Sequence, residues 1–311
     1  MTEWKFNIGF LSGIIFKIVQ NILKHIIKLN LEIETVKTAI KSLKNGRATG
    51  IGGIPAELLK LGTKKLMELL RNLFERCLNG EDVPNDLKVG YISVIHKKGA
   101  KDECKNYRGI TVTNTFSRLY GRIIKYLLEQ EYKEKEPEEQ AGFRVGRSTI
   151  DHIFCLQQII EKKMVRAQPI HLVFIDIEKA YDSVPLSSLW KALISIGINP
   201  RIIKAIQNLY KNSISKIKIG KYLSHGFQVT KGLRQGCSIS PTLYKIYTEV
   251  TLQNWKKKCH AMGIPINDRT IYSLQIADDQ LIIAQDYEDI EYMTRKLIQE
   301  YKKIRSKCKH E

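Results

Sequence analysis

Residues 171–182 read HLVFIDIEKAYD, and residues 270–284 read TIYSLQIADDQLIIA. Apolar runs in both stretches predict short strands, and three acids, Asp176, Asp278 and Asp279, stand where these runs end or turn. If the strands are neighbours in one sheet, the three carboxylates converge, and like charges that close do not all stay ionised without cations between them. Spacing alone favours this convergence no more than the alternative, in which Asp278 and Asp279 form an ordinary turn and Asp176 is a helix cap.

Divalent metal ions are the natural partners of such a group of acids, because Mg²⁺ prefers carboxylate and phosphate oxygens. Two such ions, about 4 Å apart, can stabilise the attacking and leaving oxygens of a phosphoryl transfer. The pattern therefore suggests, without specifying, a metal-dependent phosphoryl-transfer site.

The chain has 311 residues, 43% of them apolar and 27% charged, which favours a folded core over a disordered or fibrous chain. Lys and Arg outnumber Asp and Glu by 51 to 32, a formal charge of +19. This excess predicts attraction to polyanions, with nucleic acid first and an anionic membrane surface second. The six cysteines lie far apart, which disfavours a zinc site and a secreted disulfide scaffold.

Hydrophobic periodicity predicts an α+β fold, with mostly helices in the first half, an antiparallel sheet in the second, and a boundary near residue 168. The strand at 171–175 is predicted to be buried, and the acidic stretch 129–139 to be a solvated helix end or loop. The predicted helices are 31–43, 56–78, 117–128, 186–196, 202–210 and 240–255. The predicted strands are 89–96, 171–175, 215–221, 226–230, 270–276 and 281–284.

Residues 1–30 have helical periodicity with a basic face, which predicts an amphipathic helix packed on the domain behind it. A helix lying on a membrane surface is the alternative. No stretch of the sequence supplies enough uncharged apolar residues for a transmembrane segment. A secretory signal fits poorly, because the early charge is mixed and no small-residue cleavage site follows.

Five segments, in one order along the chain, resemble motifs of reverse transcriptases from non-LTR (LINE-type) retrotransposons. They are 106-NYRGI-110, 140-QAGFRVGRST-149, 174-FIDIEKAYD-182, 232-GLRQGCSISP-241 and 276-IADD-279. The resemblance covers roughly residues 31–300 and implies the fingers and palm of a right-hand polymerase. It implies a fingers-like region at 31–168, a palm-like catalytic region at 169–300, a basic tail at 301–311, and truncation before the thumb, which is missing.

The same resemblance implies that Asp176, Asp278 and Asp279 are the catalytic acids. With the backbone carbonyl of Ile177 they would bind two Mg²⁺ ions, for which Mn²⁺ can substitute. The implied reaction is attack by a DNA primer 3′-hydroxyl, paired with an RNA template, on the α-phosphate of a deoxynucleoside triphosphate (dNTP). Tyr181 would lie under the incoming sugar and exclude a 2′-hydroxyl; a core aromatic is the alternative.

For the dNTP pocket, the resemblance assigns Gln235 and Gly236 to a loop along the nascent base pair, where glycine permits close approach of backbone. It assigns Arg108 to the triphosphate, because a planar guanidinium matches phosphate oxygens. Lys97 or Lys98 would assist. The alternative for these cations is a solvated basic loop.

Arg144 and Arg147 are expected to contact the template backbone without reading its sequence. Three positions depart from the family pattern. Ile276 replaces the usual aromatic before Ala-Asp-Asp, Gly109 replaces a proline in what we expect to be a loop, and Gly52 replaces an aspartate. We expect poorer primer placement and weaker fingers-loop contacts to follow.

The sequence therefore predicts an RNA-directed DNA polymerase domain of a retrotransposon, impaired by truncation. A basic nucleic-acid-binding fragment that has lost its catalytic activity is one alternative, and a metal-dependent phosphohydrolase or nuclease that uses the same acids is another. The retrotransposon resemblance implies a nuclear or cytoplasmic location, and the sequence identifies no protein partner.

Overall fold

The computed structural model describes residues 28–306. The amphipathic helix predicted at 1–30 lies outside this range except for its last three residues, and the predicted basic tail is described as far as Ser306. The helices are α1 (Ile33–Lys41), α2 (Ala56–Lys60), α3 (Lys64–Leu78), α4 (Asn85–Lys88), α5 (Thr115–Tyr132), α6 (Thr149–Val165), α7 (Leu186–Ser195), α8 (Pro200–Tyr210), α9 (Ser240–Lys258) and α10 (Tyr287–Ser306). The strands are β1 (Val89–His96), β2 (Tyr107–Thr113), β3 (His171–Ile175), β4 (Ile214–Ile219), β5 (Tyr222–Leu223), β6 (Phe227–Gln228), β7 (Ile264–Ile266), β8 (Arg269–Ile271), β9 (Ser273–Ile276) and β10 (Asp279–Ala284).

A five-stranded sheet combines strands from both halves of the chain. Its order is β2-β1-β4-β5, and β6 also pairs with β4. The β1–β2 pair is antiparallel, with Val94 opposite Gly109, whereas β1 and β4 are parallel. This sheet crosses the predicted boundary near residue 168, and the division into fingers-like and palm-like regions stays a prediction.

A second, three-stranded antiparallel sheet has the order β3-β10-β9. Alternate residues of β10 pack into different clusters. Ile282 and Ala284 face a cluster that contains α9 and α10 residues, whereas Leu281 and Ile283 face one that contains Ile159 of α6. Helices therefore cover both faces of this sheet, and its apolar runs are explained by burial on two sides.

The main helical core connects segments that are far apart in sequence. Side chains from α1, α3, α5, α7, α8 and α9 form one continuous cluster of buried apolar residues. Phe74 of α3 stacks on Tyr120 of α5 with ring centroids 5.1 Å apart. Within residues 28–306, no helix has both the length and the apolar character needed to cross a bilayer.

Most predicted elements are confirmed, and the differences are of three kinds. The helix predicted at 56–78 is interrupted at Gly62, giving α2 and α3. Sequence reasoning missed the helices α6 and α10, the strands β2 and β7, and the short elements α4 and β5. The strand at 171–175 is present, but it is half-buried, and its Phe174 side chain is 75% exposed. It lies at one edge of its sheet, beside β10 alone among the described strands.

The acidic stretch 129–139 is also different from the expectation of a solvated segment. Helix α5 continues into it as far as Tyr132. Beyond that point, Glu136 pairs with Lys245, whose side chain is 3% exposed, and Glu139 pairs with Lys256 at 2.7 Å. Acids that look solvated in the sequence therefore neutralise lysines of α9, which compensates for the burial of those cations.

Helix α9 also buries an acid, Glu249, which is 4% exposed. Burial raises the pKa of this carboxyl from 4.5 to about 6, although Lys256 and a hydrogen bond with Gln253 act in the opposite direction. Stability from the neutral form is therefore fully present below about pH 4.5 and is lost as the pH rises through about 6.

We predict that Glu249→Gln removes this loss. Near pH 4.5 the variant and the native chain should have similar free energies of unfolding. Near pH 7.5 the free energy of unfolding of the variant should exceed that of the native chain by up to about 2 kcal/mol, since one pKa unit corresponds to about 1.4 kcal/mol. Denaturant titrations at both pH values measure the difference. Glu291→Gln, at an exposed position of α10, is the matched control. An equal gain in both variants would contradict the assignment.

Candidate active site

The structure brings the three predicted acids to one end of the three-stranded sheet. Ile175 pairs with Gln280, so Asp176 follows β3 at the level where Asp279 begins β10. Asp279 also pairs with Ile276, and Asp278 therefore lies in the two-residue turn between β9 and β10. Antiparallel pairing thus joins two acids that are about one hundred residues away from the third along the chain.

The acids influence one another electrostatically. The pKa of Asp279 is raised, first by burial and then by the negative charges of Asp278 and Asp176. Hard carboxylate oxygens of this kind are the donors that Mg²⁺ and Mn²⁺ accept, so the residues fit a divalent ion. Across residues 28–306, however, no three His, Cys, Asp or Glu side chains are close enough to hold a metal ion as they stand.

An apolar cavity of about 320 Å³ borders the acids on the α6 side of the sheet. Asp176 and Asp279 contribute to its wall beside the exposed Phe174 and the half-buried Ile276. Ile153 of α6 also lines this cavity. The position where the family resemblance expects an aromatic is therefore part of this wall.

Tyr181 lies on the loop after β3 and is held by aromatic packing. Its ring stacks on Tyr244 of α9 with centroids 4.8 Å apart and planes 17° apart. Burial raises the pKa of Tyr181, with Asp278 adding to this effect and Arg108 opposing it. The Tyr181 hydroxyl is buried, and no described residue hydrogen-bonds to it. The tyrosine therefore lies within electrostatic range of both an acid of the turn and the predicted phosphate-binding arginine.

Arg108, Gln235 and Asp182 form a chain of hydrogen bonds. Arg108 Nε donates to Gln235 Oε1 at 3.0 Å, and Gln235 Nε2 donates to Asp182 Oδ1 at 2.9 Å. The Gln235 carbonyl also accepts from the Thr111 N–H at 2.7 Å. Three sequence-remote predicted motifs therefore meet at the side chain of Gln235.

The remaining predicted pocket residues surround this chain. Gly236 has φ +97°, and a Cβ there would lie 2.9 Å from the Thr111 carbonyl oxygen, so the tight loop requires glycine. Lys97 and Lys98 are exposed just beyond β1, at the end of the β1–β2 pair near Arg108. Arg108 belongs to β2 itself, which corrects the expectation that it lies on a loop loosened by Gly109.

The two arginines of the predicted template contact lie in an ion-pair network. Arg144 Nη1 donates to the Pro137 carbonyl at 2.8 Å, and its guanidinium lies 3.6 Å from Glu136 and 3.2 Å from Glu138. Arg147 also pairs with Glu138. Arg144 is thus held within the protein, and Arg147 is the more exposed of the two.

Backbone hydrogen bonds fasten the loop after β3 to the loop before α9. The Leu233 N–H donates to the Tyr181 carbonyl at 2.9 Å, and the Gly232 N–H donates to the Val184 carbonyl at 2.9 Å. Gly232 has φ +89°, and a Cβ there would lie 2.9 Å from the Asp182 carbonyl oxygen. The alignment of these two loops therefore depends on a glycine.

Sequence reasoning missed two polar residues that contact the site. Asp182 lies in the motif at 174–182, for which the resemblance implies no role at this position, and it accepts the Gln235 hydrogen bond. Gln140 contacts the backbone of Ala277, directly before Asp278. Both belong to quoted motifs, so motif membership was the available signal, but their partners lie more than 50 residues away.

Comparison with known proteins agrees with this geometry. Residues 95–311 match the family model described as reverse transcriptase (RNA-dependent DNA polymerase). A 149 kDa protein of transposon TX1 from Xenopus laevis is 21% identical over 84% of this chain and 20% of its own length. A Pol polyprotein from retrotransposable element R2 of Popillia japonica is 25% identical over 81% of this chain and 34% of its own length. The chain thus spans a fifth to a third of these relatives.

Solved structures show the fold. A telomerase from Candida tropicalis, truncated from its C-terminal domain, superposes with a TM-score of 0.53 at 15% identity, covering 76% of this chain and 52% of the telomerase. A second structure of that telomerase gives 0.51 at 16% identity, covering 75% and 42%. The α+β architecture of polymerase fingers and palm is therefore confirmed.

We predict that Gly232→Ala destabilises the chain by about 1–3 kcal/mol, because the new Cβ meets backbone and the positive φ is strained for alanine. Gly146→Ala is the matched control, since Gly146 has φ +75° with open space around its Cβ position, and it should cost about 1 kcal/mol. Denaturant midpoints compare the two variants. Equal losses would show that the Gly232 contact with Asp182 carries no energy beyond the strain.

Proposed function

We propose, from the premise that this chain belongs to the reverse transcriptase (RNA-dependent DNA polymerase) family, that it copies RNA into DNA by adding deoxynucleotides to a primer 3′-hydroxyl. The observation that carries the proposal is the convergence of Asp176, Asp278 and Asp279 at one sheet end. The hydrogen-bonded chain of Arg108, Gln235 and Asp182, the predicted nucleotide pocket, supports it. A nuclease needs the acids but has no need of such a nucleotide pocket.

We propose Asp176, Asp278, Asp279 and the carbonyl of Ile177 as the residues that hold two Mg²⁺ ions. When bound, such ions neutralise phosphate charge and lower the pKa of the attacking hydroxyl. The pKa of Asp279 is raised first by burial and then by the negative charges of Asp278 and Asp176, and a bound cation would offset both causes, which supports this assignment.

The chain's own side chains would align the reacting groups. Arg108 would grip the triphosphate, while its bond to Gln235 keeps the guanidinium at the pocket edge. Lys97 or Lys98 would add positive charge from the neighbouring loop. Tyr181, fixed against Tyr244, would present a rigid ring to the sugar. Alignment and charge stabilisation together supply most of the rate enhancement in such reactions.

The +19 charge supports binding of an RNA template and a DNA primer through phosphate contacts. We propose that Arg147 contacts the template backbone. Arg144 would act beside it by holding the 137–147 loop against its acidic partners. Such contacts orient the duplex without reading its sequence.

Primer extension on an RNA template with Mg²⁺ or Mn²⁺ tests the function. We predict that Asp278→Asn lowers the extension rate by more than about a hundredfold, because it removes a charge on which transition-state stabilisation depends. Asp268→Asn, at an exposed position outside the site, should leave the rate unchanged.

Two other results would contradict the proposal. Salt-sensitive binding of nucleic acid without extension by the native chain would indicate a binding fragment. Strand cleavage without synthesis would indicate a nuclease that uses the same acids.

We also predict that Tyr181→Ala admits ribonucleotides, because the truncated side chain no longer collides with a 2′-hydroxyl. The preference for dNTP over the matching ribonucleotide should fall by about tenfold or more, measured as the ratio of kcat/KM values. Tyr181→Phe retains the stacked ring and should retain the preference. Unchanged sugar selectivity in an active Tyr181→Ala variant would refute the role.

A further inference from the structure

Gln140 is buried against the turn that carries Asp278. Its side chain is 2% exposed. Its Oε1 accepts hydrogen bonds from the backbone N–H groups of Ala277 at 3.0 Å and Gly142 at 2.7 Å, and its Nε2 donates to the Ala277 carbonyl at 3.3 Å. One side chain therefore binds both the N–H and the C=O of the residue directly before Asp278.

The backbone conformation that Gln140 holds at Ala277 is unfavourable for an alanine. Ala277 has φ +59°, in the left-handed region that a side chain with a Cβ rarely adopts. The turns favoured in two-residue hairpins, types I′ and II′, have positive φ at the first turn position, and glycine is preferred there in type II′ turns. Since this chain has alanine, contacts from outside the turn must maintain the backbone conformation.

The segment around Gln140 is well placed to supply those contacts. Gln140 forms a parallel bridge with Gln275 of β9. The Ala141 N–H donates to the Gln275 carbonyl at 3.0 Å, and the Gln275 N–H donates to the Glu139 carbonyl at 2.8 Å. His152 Nε2 lies 3.0 Å from both of those carbonyls, so it acts as the donor to each. The segment thus lies beside β9 like an added short strand.

Gly142 also contacts Ala277, through its backbone. A Cβ on Gly142 would lie 2.1 Å from the Ala277 nitrogen and 2.9 Å from its Cα, which no side chain could occupy. Backbone of residues 140–142 therefore packs directly on backbone of the turn. Glycine is required because any larger residue would displace Ala277.

We propose that Gln140 is a positioning residue for the catalytic acids. By binding both polar groups of Ala277, it holds the 277–278 turn so that Asp278 and Asp279 point to the same end of the sheet as Asp176. The catalytic consequence rests on the proposed polymerase function, whereas the effect on the turn does not.

Hydrogen exchange at the Ala277 amide tests the effect on the turn without any activity measurement. Gln140→Met keeps the side-chain length and removes all three hydrogen bonds. We expect exchange at Ala277 to accelerate at least tenfold. Gln275→Met is the matched control, because Gln275 is equally buried in the same sheet but its side chain bonds to Ser273 rather than the turn. It should leave exchange at Ala277 unchanged.

Steady-state primer extension tests the catalytic consequence. Gln140→Met should lower kcat by about 10- to 100-fold, because small misplacements of catalytic groups are costly. The KM for dNTP should stay within about twofold, since the Arg108–Gln235 pocket is not touched. Gln140→Glu keeps the acceptor for Ala277 and Gly142 but lacks the donated bond, so its exchange rate at Ala277 should lie between those of the native chain and Gln140→Met.

The outcomes separate this proposal from the proposed function. We call the hold of Gln140 on the 277–278 turn the clamp. Faster exchange at Ala277 in Gln140→Met, together with no extension activity in the native chain, would support the clamp and contradict the polymerase function. Extension by the native chain with unchanged exchange and kcat in Gln140→Met would overturn the clamp alone. Equal acceleration in Gln275→Met would also overturn it, because general loosening of the sheet would then explain the effect. If Gln140→Met does not fold, native-like exchange in Gln140→Glu overturns the clamp, and intermediate exchange supports it.

Discussion

The pairing of β10 with both β3 and β9 is the constraint on which the site depends. It places Gln280 opposite Ile175 and Asp279 opposite Ile276, and so gathers acids from distant parts of the chain. Register is usually fixed by one apolar face and one polar face. Here both faces of β10 are apolar and buried, so the alternation of polar and apolar residues does little to fix the register. The two-residue turn at 277–278 must therefore fix much of the register between β9 and β10.

The other predicted site residues also depend on contacts between distant segments, since backbone hydrogen bonds join their loops to one another. The loop after β3 accepts a hydrogen bond from Leu233, and the end of β2 donates one to Gln235 through Thr111. Local bonds, such as those from the Ser183 N–H to the Lys179 carbonyl and from the Cys237 N–H to the Arg234 carbonyl, complete each loop. Because bonds between the loops add to these local bonds, the predicted motifs are parts of one connected structure.

Apolar periodicity, a local property, indicated most elements and the acids at the strand ends, and the resemblance to reverse transcriptase motifs assigned the pocket residues. They failed where tertiary contacts decide. The acids of 129–139 look solvated until α9 places Lys245 and Lys256 beside them. The apolar run of β3 suggested a buried strand, yet β3 is an edge strand and its Phe174 is exposed. No local pattern reveals that Gln140 reaches Ala277 across 137 residues of sequence.

The apolar cavity beside the acids gives the departure at Ile276 a physical meaning. Burial is the first cause of the raised pKa of Asp279, ahead of the neighbouring negative charges. A low-dielectric wall makes a carboxylate less stable in the free protein, and it also strengthens attraction between that carboxylate and any cation. Isoleucine keeps this wall apolar but offers no flat ring to a nucleotide base. Ile276 therefore leaves the Asp279 carboxylate beside an apolar wall and so maintains the burial that raises its pKa.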